Sequence, residues 1–375
     1  MSEWKKVKLG NCTTIKTGKL DSNAAVDNGL YPFFTCDPNT LRINEWAYDT
    51  EAILLAGNNA SGNYTAKYYN GKFNAYQRTY IIESKNSNSL SVKFLAYAMN
   101  LQLRLLKVMS SGSTTKFITM KMLTGLDIPI PSIEVQHRIA TILSRYDSLI
   151  ENYQKQIKLL EESAQRLYKE WFIDLRFPEH ENTKIVDGVP EGWEKKILAE
   201  IANVVMGQSP KSEFYNKENK GLPFHQGVGS YGVRFVEDNI YCTSVTRVAK
   251  PNSILFSVRA PVGRLNITKN KIIIGRGLAA MTHRNGCQSF LYYMLKERFF
   301  KDDIIGNGAI FASISKDELL NLDFIIPQDD LVYRYNEITQ KIDENIKSLD
   351  SQIRHLTEAR DRLLPKLMSG EIKIN

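Results

Sequence analysis

At 375 residues, with 43% hydrophobic and 24% charged side chains, the chain is long enough for two cores and too apolar for wholesale disorder. A formal charge of +8 favours a polyanionic partner. The four cysteines (Cys12, Cys36, Cys242, Cys287) lie far apart without a C-x-x-C, which argues for reduced thiols over a disulfide frame or zinc site. With no leader-like opening and no apolar run of spanning length, the expectation is a cytoplasmic protein with no membrane partner.

Taken in order, the chain begins W-K-K-V-K-L-G at residues 4–10, echoed 189 residues later by W-E-K-K-I-L-A at 193–199. Ile15 and Gly18 match Val204 and Gly207 in the same register, and a polar loop leads each copy into a P-F pair, Pro32–Phe33 and Pro223–Phe224. Strand-like apolar runs follow: residues 52–63 parallel 253–264. Short strands are then expected at 64–69 and 73–82, and at 265–268 and 271–274. Short amphipathic helices are expected near 92–107 and 289–300, each leading through a glycine-bearing loop to an L-x-x-L-D segment.

From about Pro131 to Phe172 the period changes. Ile150, Tyr153, Ile157, Leu160, Ala164, Leu167 and Trp171 alternate three and four residues apart, the heptad spacing of a helix with one seam. A single helix of roughly 35–40 residues fits, too long and too narrowly striped to stand without a partner helix. The pattern returns from Pro327 as Ile342, Ile346, Leu349, Ile353, Leu356, Leu363 and Leu367. At a constant offset of 196, Asp127, Ile130, Arg138, Asp147 and Ile150 match Asp323, Ile326, Arg334, Asp343 and Ile346. This is an internal duplication: twice, a mixed α/β domain followed by one long helix. Pro178 and Pro190 bracket a polar linker that lets the chain double back and the helices pair antiparallel. Arg360 falls on a seam position where the first copy has Ala164, an arginine set opposite a small residue.

No catalytic constellation is legible. Gly227-Val-Gly-Ser-Tyr-Gly232 has the form of a dinucleotide fingerprint, but the V-R-F-V after it reads as a strand where a helix is required. No N-P-P-[YF] signature or acidic cluster for Mg²⁺ is present, and the five histidines are scattered. What the loops carry instead is hydrogen-bonding chemistry. In the first copy the candidates for DNA contact are Lys19, Ser22, Asn58, Asn59, Ser61, Tyr64, Lys67, Gln77, Arg78, Ser113, Thr114 and Lys116. In the second they are Gln208, Lys211, Ser212, His225, Gln226, Arg259, Arg264, Arg276, Arg284 and Asn307. Arginine and side-chain amides form paired hydrogen bonds to base edges, while lysine and hydroxyls hold phosphates.

Several segments together resemble the specificity (S) subunit of type I restriction–modification enzymes along the whole chain. They are W-x-x-x-x-L opening each copy, Pro131-Ser-Ile-Glu134-Val-Gln136-x-Arg138-Ile139, W-F-I-D-L-R-F-P at 171–178, V-D-G-V-P-E-G-W at 186–193, and L-L-P-K-L-M-S-G-E-I-K at 363–373. The resemblance implies an α+β fold with two target-recognition domains, residues 1–130 and 179–326 (with the linker). Residues 131–178 and 327–375 would form the two helices of an antiparallel coiled coil. It implies a non-catalytic subunit that reads double-stranded DNA as a bipartite site, the coiled coil setting the gap and docking two methyltransferase (M) subunits. Translocase–nuclease (R) subunits would complete the assembly. No cofactor is expected on this chain; S-adenosylmethionine, ATP and Mg would bind the partner subunits. Asp330 and Val332 stand where the first copy has Glu134 and Gln136, and Pro365 is expected to interrupt the last turns, both bearing on the symmetry of partner docking. The alternatives are a recognition subunit of a non-type-I restriction–modification enzyme and a coiled-coil adaptor without a DNA role.

Overall fold

The computed structural model describes residues 4–58, 64–109, 117–299 and 313–373, except the side chains of 104–109. The chain divides into two compact units, Met1–Tyr153 with Ser351–Asn375, and Gln154–Asp350. The division cuts both long helices, because each half-helix packs into the domain beside it.

In unit 1, β1 (Lys5–Lys8) pairs antiparallel with β8 (Asp127–Ile130). Between them lies a six-stranded sheet of β2 (Thr13–Thr17), β3 (Tyr31–Phe34), β4 (Leu41–Ile43), β5 (Tyr48–Ala56), β6 (Ala66–Ala75) and β7 (Thr79–Ser84). The strand order is β2-β7-β5-β6-β3-β4, parallel only where β3 meets β6. Successive side chains of a strand point to opposite faces. Ile53 and Leu55 therefore join a core with the helix Val92–Met109 (Phe94, Leu95, Met99), while Ala52 and Leu54 meet Phe34, Phe73 and Ile81 behind. Burial on both faces is why this stretch reads as a continuous apolar run instead of an alternating one.

In unit 2 a hairpin, β9 (Ile185–Val186) and β10 (Val189–Pro190), occupies the expected polar linker. Asp187 and Gly188 both have positive φ (52° and 80°), the conformation a two-residue hairpin turn requires. β11 (Glu194–Ile197) pairs with β21 (Asp323–Ile326), repeating the β1–β8 arrangement. One sheet contains β12 (Ala202–Met206), β17 (Ile254–Ser257), β18 (Leu265–Ile267) and β20 (Leu278–His283) in the order β12-β20-β17-β18. The other contains β13 (Tyr215–Asn216), β14 (Leu222–His225), β15 (Tyr241–Cys242), β16 (Val248–Ala249) and β19 (Ile272–Ile274) in the order β13-β15-β14-β19-β16. The helix Gln288–Phe299 is buried from Ser289 through Leu295.

The central helix runs Ile133–Tyr168 and the C-terminal helix Asp329–Met368. Within each unit they are antiparallel. In unit 1 Ile139 and Leu143 share a core with Leu364 and Leu367. In unit 2 the Tyr335 hydroxyl donates to the Ala164 carbonyl at 2.9 Å, and Phe172 packs on Tyr335 and Phe290 with ring centroids 5.1 and 5.3 Å apart.

Polar groups, buried or partly so, fasten each domain to the helices. The equivalent pairs Tyr97–Asp147 and Tyr293–Asp343 each join a domain-helix hydroxyl to a long-helix carboxylate. An arginine completes each, from a different source. In unit 1 it is Arg360 of the C-terminal helix, 2.7 Å from Asp147. In unit 2 it is Arg234 of the loop after Gly232, 2.6 Å from Asp343, 3.0 Å from Glu161 and stacked 3.6 Å over the Tyr292 ring. Burial disfavours the Arg234 charge, but these aromatic and acidic neighbours outweigh it and hold the guanidinium protonated.

Four expectations change. Strand β6 starts at Ala66 and β7 only at Thr79, because Tyr76–Arg78 form the turn between them. V-R-F-V at 233–236 is no strand: it makes only isolated bridges, and its arginine is drawn into the core by two carboxylates. Pro365 does not interrupt the C-terminal helix, which continues to Met368. Arg360 faces Asp147, whereas Ala164 lies against Tyr335, so the small residue accommodates a tyrosine and not the arginine.

Candidate nucleic-acid interface

At one edge of each domain the same backbone hydrogen bonds recur in both copies. Gly18 N–H donates to Thr79 O (3.1 Å) as Gly207 does to Leu278 O (2.9 Å). Gly57 donates to Arg78 O and Ile118 to Gly57 O; Val258 to Gly277 O and Ile314 to Val258 O repeat them. Tyr76 donates to Phe34 O and Gly275 to His225 O. Bridges Asn58–Phe117 and Arg259–Ser313 close the set. These bonds make Asn58 equivalent to Arg259, Gln77 to Arg276, Lys19 to Gln208 and Thr35 to Gln226. The glycine is obligatory at the crossing: a Cβ on Gly18 would lie 2.0 Å from the Ala75 carbonyl oxygen, and one on Gly207 2.1 Å from that of Gly275.

In unit 1 this edge gathers Lys19, Gln77 and Arg78, all exposed, with Ser22, Asn58 and Arg78 lining a cleft beside Thr35, Asp37 and Tyr76. Lys67 faces a neighbouring pocket, its ammonium donating to Pro38 O at 2.6 Å; burial lowers its pKa. The Tyr64 hydroxyl is pushed up by burial and then by Cys36. In unit 2 the edge gathers Gln208, Gln226 and Arg276. The Ser209 hydroxyl donates to Gln226 Oε1 (2.8 Å) and accepts from the Arg276 amide (3.2 Å), while Thr246 donates to Gln208 O (2.6 Å). Arg259 is exposed next to Val258 in the same set of bonds, and Lys211 and Ser212 are exposed just beyond Pro210. Asn59, Ser61, Ser113, Thr114, Lys116 and Asn307 lie outside the described residues.

Three candidates fall elsewhere. His225 is only 1% exposed; its Nδ1 meets Ser230 at 2.8 Å and its Nε2 meets Asp238 at 3.0 Å. His225 ends β14 on its buried side, whereas Gln226 just beyond the strand is exposed, so the His225 ring is no surface contact. Arg284 follows β20 at the end opposite Arg276, its guanidinium donating twice to Ala199 O at 3.0 and 2.8 Å. Arg264 lines a separate cleft with Glu161, Tyr231 and Lys296.

Sequence reading missed Arg234, hidden in a glycine-rich loop, and the buried amides that cap the domain helices. Gln136 Oε1 accepts from Ser91 N–H at 2.9 Å, and its amide nitrogen donates to Ser89 O and Pro131 O. Where the second copy has Val332, Asn336 one turn later accepts from Ser289 and Phe290 N–H. The departure at Gln136 is therefore compensated inside the fold. For the hydroxyls that meet Asp147 and Asp343, the shared 196-residue offset of Tyr97 and Tyr293 was the available signal; Arg234 had none. Among the described residues no cluster of three or more His, Cys, Asp or Glu is placed to hold a metal ion, and no helix is long and apolar enough to cross a membrane.

Two copies of one scaffold, each carrying different polar side chains at equivalent surface positions beside a pair of long helices, define a duplicated recognition protein. The family model described as type I restriction modification DNA specificity domain matches residues 1–162 and 190–362. A putative type I restriction enzyme MjaX specificity subunit of Methanocaldococcus jannaschii is 30% identical over 320 residues, 82% of this chain and 74% of that protein. The type I restriction enzyme EcoDI specificity subunit of Escherichia coli is 25% identical over 405 residues, 99% of this chain and 89% of that one. The crystal structure of a type I restriction–modification S subunit from M. genitalium has the same fold, with a TM-score of 0.61 at 20% identity over 97% of this chain and 96% of that one. The chain belongs to the type I restriction–modification DNA specificity family. It is a recognition component of such a system, in a class of subunits that are themselves non-catalytic.

Proposed function

We propose that each unit reads one half of a bipartite duplex site with the edge around Gly18 or Gly207, and that the paired helices set the gap and dock two methyltransferase subunits. Translocase–nuclease subunits complete the assembly, and S-adenosylmethionine, ATP and Mg belong to those partners. The observation that carries this reading is the conservation of one set of backbone bonds around different side chains. A fixed frame with interchangeable polar groups is what two readers of unlike sequences need, since backbone contacts position and base-edge contacts specify. The net charge of +8 supplies the sequence-independent attraction to phosphate. The test is to map methylated bases in cells expressing this chain with its modification partner. A two-part motif with a constant gap is expected; a continuous motif, or methylation independent of this chain, would refute the reading.

A further inference from the structure

We infer that Asn58 with Gln77, and Arg259 with Arg276, are the base-reading pairs of the two units, reading A·T base pairs in one half-site and G·C base pairs in the other. The inference rests on the proposed DNA-reading role and adds the chemistry of each half-site.

The equivalence established by hydrogen bonding makes the comparison exact in position. Gly57 N–H bonds to Arg78 O, so Asn58 and Gln77 flank one backbone link; Val258 N–H bonds to Gly277 O, so Arg259 and Arg276 flank the matching link. Gln77, Arg259 and Arg276 are exposed, and Asn58 is half-buried on the rim of its cleft. Both positions change chemistry together between copies, two amides against two guanidiniums. A side-chain amide offers one donor and one acceptor, the complement of adenine N7 and N6–H₂; a guanidinium offers two donors, the complement of guanine N7 and O6.

The other equivalent positions fit this role less well. Thr35 Oγ1 accepts from Asp37 N–H at 3.1 Å, and Gln226 Oε1 accepts from Ser209, so both are engaged within the fold. Lys19 carries a point charge suited to phosphate, without the planar fork that discriminates bases. Arg78 has Gly277 as its counterpart, so it is not part of the paired code.

The experiment uses the complex of this chain with its modification partner, and measures binding to duplexes permuted at each position of each half-site. In R259N/R276Q the preference for G·C at the affected positions of one half-site is expected to fall by about ten-fold or more, with the other half-site unchanged. N58R/Q77R is expected to erode an A·T preference in the opposite half-site. The conservative Arg276→Lys keeps the charge and loses the fork. Lost discrimination with random-duplex binding retained supports base reading. Uniform weakening across all duplexes, unchanged preference, or a change in both half-sites at once overturns it. If the unaltered complex recognises no bipartite site, the underlying DNA-reading role fails instead.

Discussion

Arg234 shows how a single buried charge fixes a recognition domain to its helix. It is 2% exposed, and two carboxylates from the two long helices, Glu161 and Asp343, converge on it. Removing one partner of a buried ionic group strands the others without hydration. Arg234→Met is therefore expected to destabilise unit 2 by about 3–5 kcal/mol, read as a lower thermal midpoint. Adding Asp343→Asn should restore part of that loss, because the residues form one network. An additive double variant would show that the carboxylate and the guanidinium act independently. In unit 1 the equivalent acid takes its arginine from the helix partner, so Arg360 joins helix to helix where Arg234 joins domain to helix.

At the scale of elements, each long helix caps the helix that packs on it. The first N–H groups of a helix have no partner within it. For Val92–Met109 the amide of Gln136 supplies one, and for Gln288–Phe299 Asn336 does so. Gln136→Leu keeps the volume and leaves the Ser91 N–H and the Ser89 and Pro131 carbonyls unpaired. An expected cost of about 1–3 kcal/mol should appear as faster amide exchange in the first turn of Val92–Met109, with the second unit's counterpart unchanged. Equal exchange in both units would contradict the capping role. This also explains why a glutamine in a helix-start motif is matched by a valine in the other copy: the function moved one turn along the helix.

For the whole molecule, the proposed function makes the length of the duplicated helices the variable that the half-site spacing follows. Inserting seven residues into both adds about 10 Å of helix, and duplex DNA rises 3.4 Å per base pair, so the gap between half-sites should lengthen by about three base pairs. Mapped methylation sites with the original gap would reject this dependence. Inserting into one helix alone breaks the register of the seam and should abolish assembly.

Much of this architecture is written in the chain itself. The heptad spacing from Ile150 to Trp171, its return from Ile342 to Leu367, and the constant 196-residue offset are local or periodic patterns, and periodicity selects the helix and its buried face before any tertiary contact forms. The apolar runs at 52–56 and 253–257 likewise announce strands covered on both faces. Other features depend on which residues meet across long separations. Arg234 finds Glu161 73 positions away and Asp343 109 positions away, and nothing in G-S-Y-G-V-R-F-V marks the arginine as buried. His225 and Gln226 are neighbours in sequence, yet where β14 ends one is held inward against Asp238 and the other is left at the exposed edge. Composition marked these loops as polar; only the folded backbone decided that Asn58 and Arg259, or Gln77 and Arg276, occupy the same place, because that equivalence is set by hydrogen bonds between segments that the sequence keeps far apart.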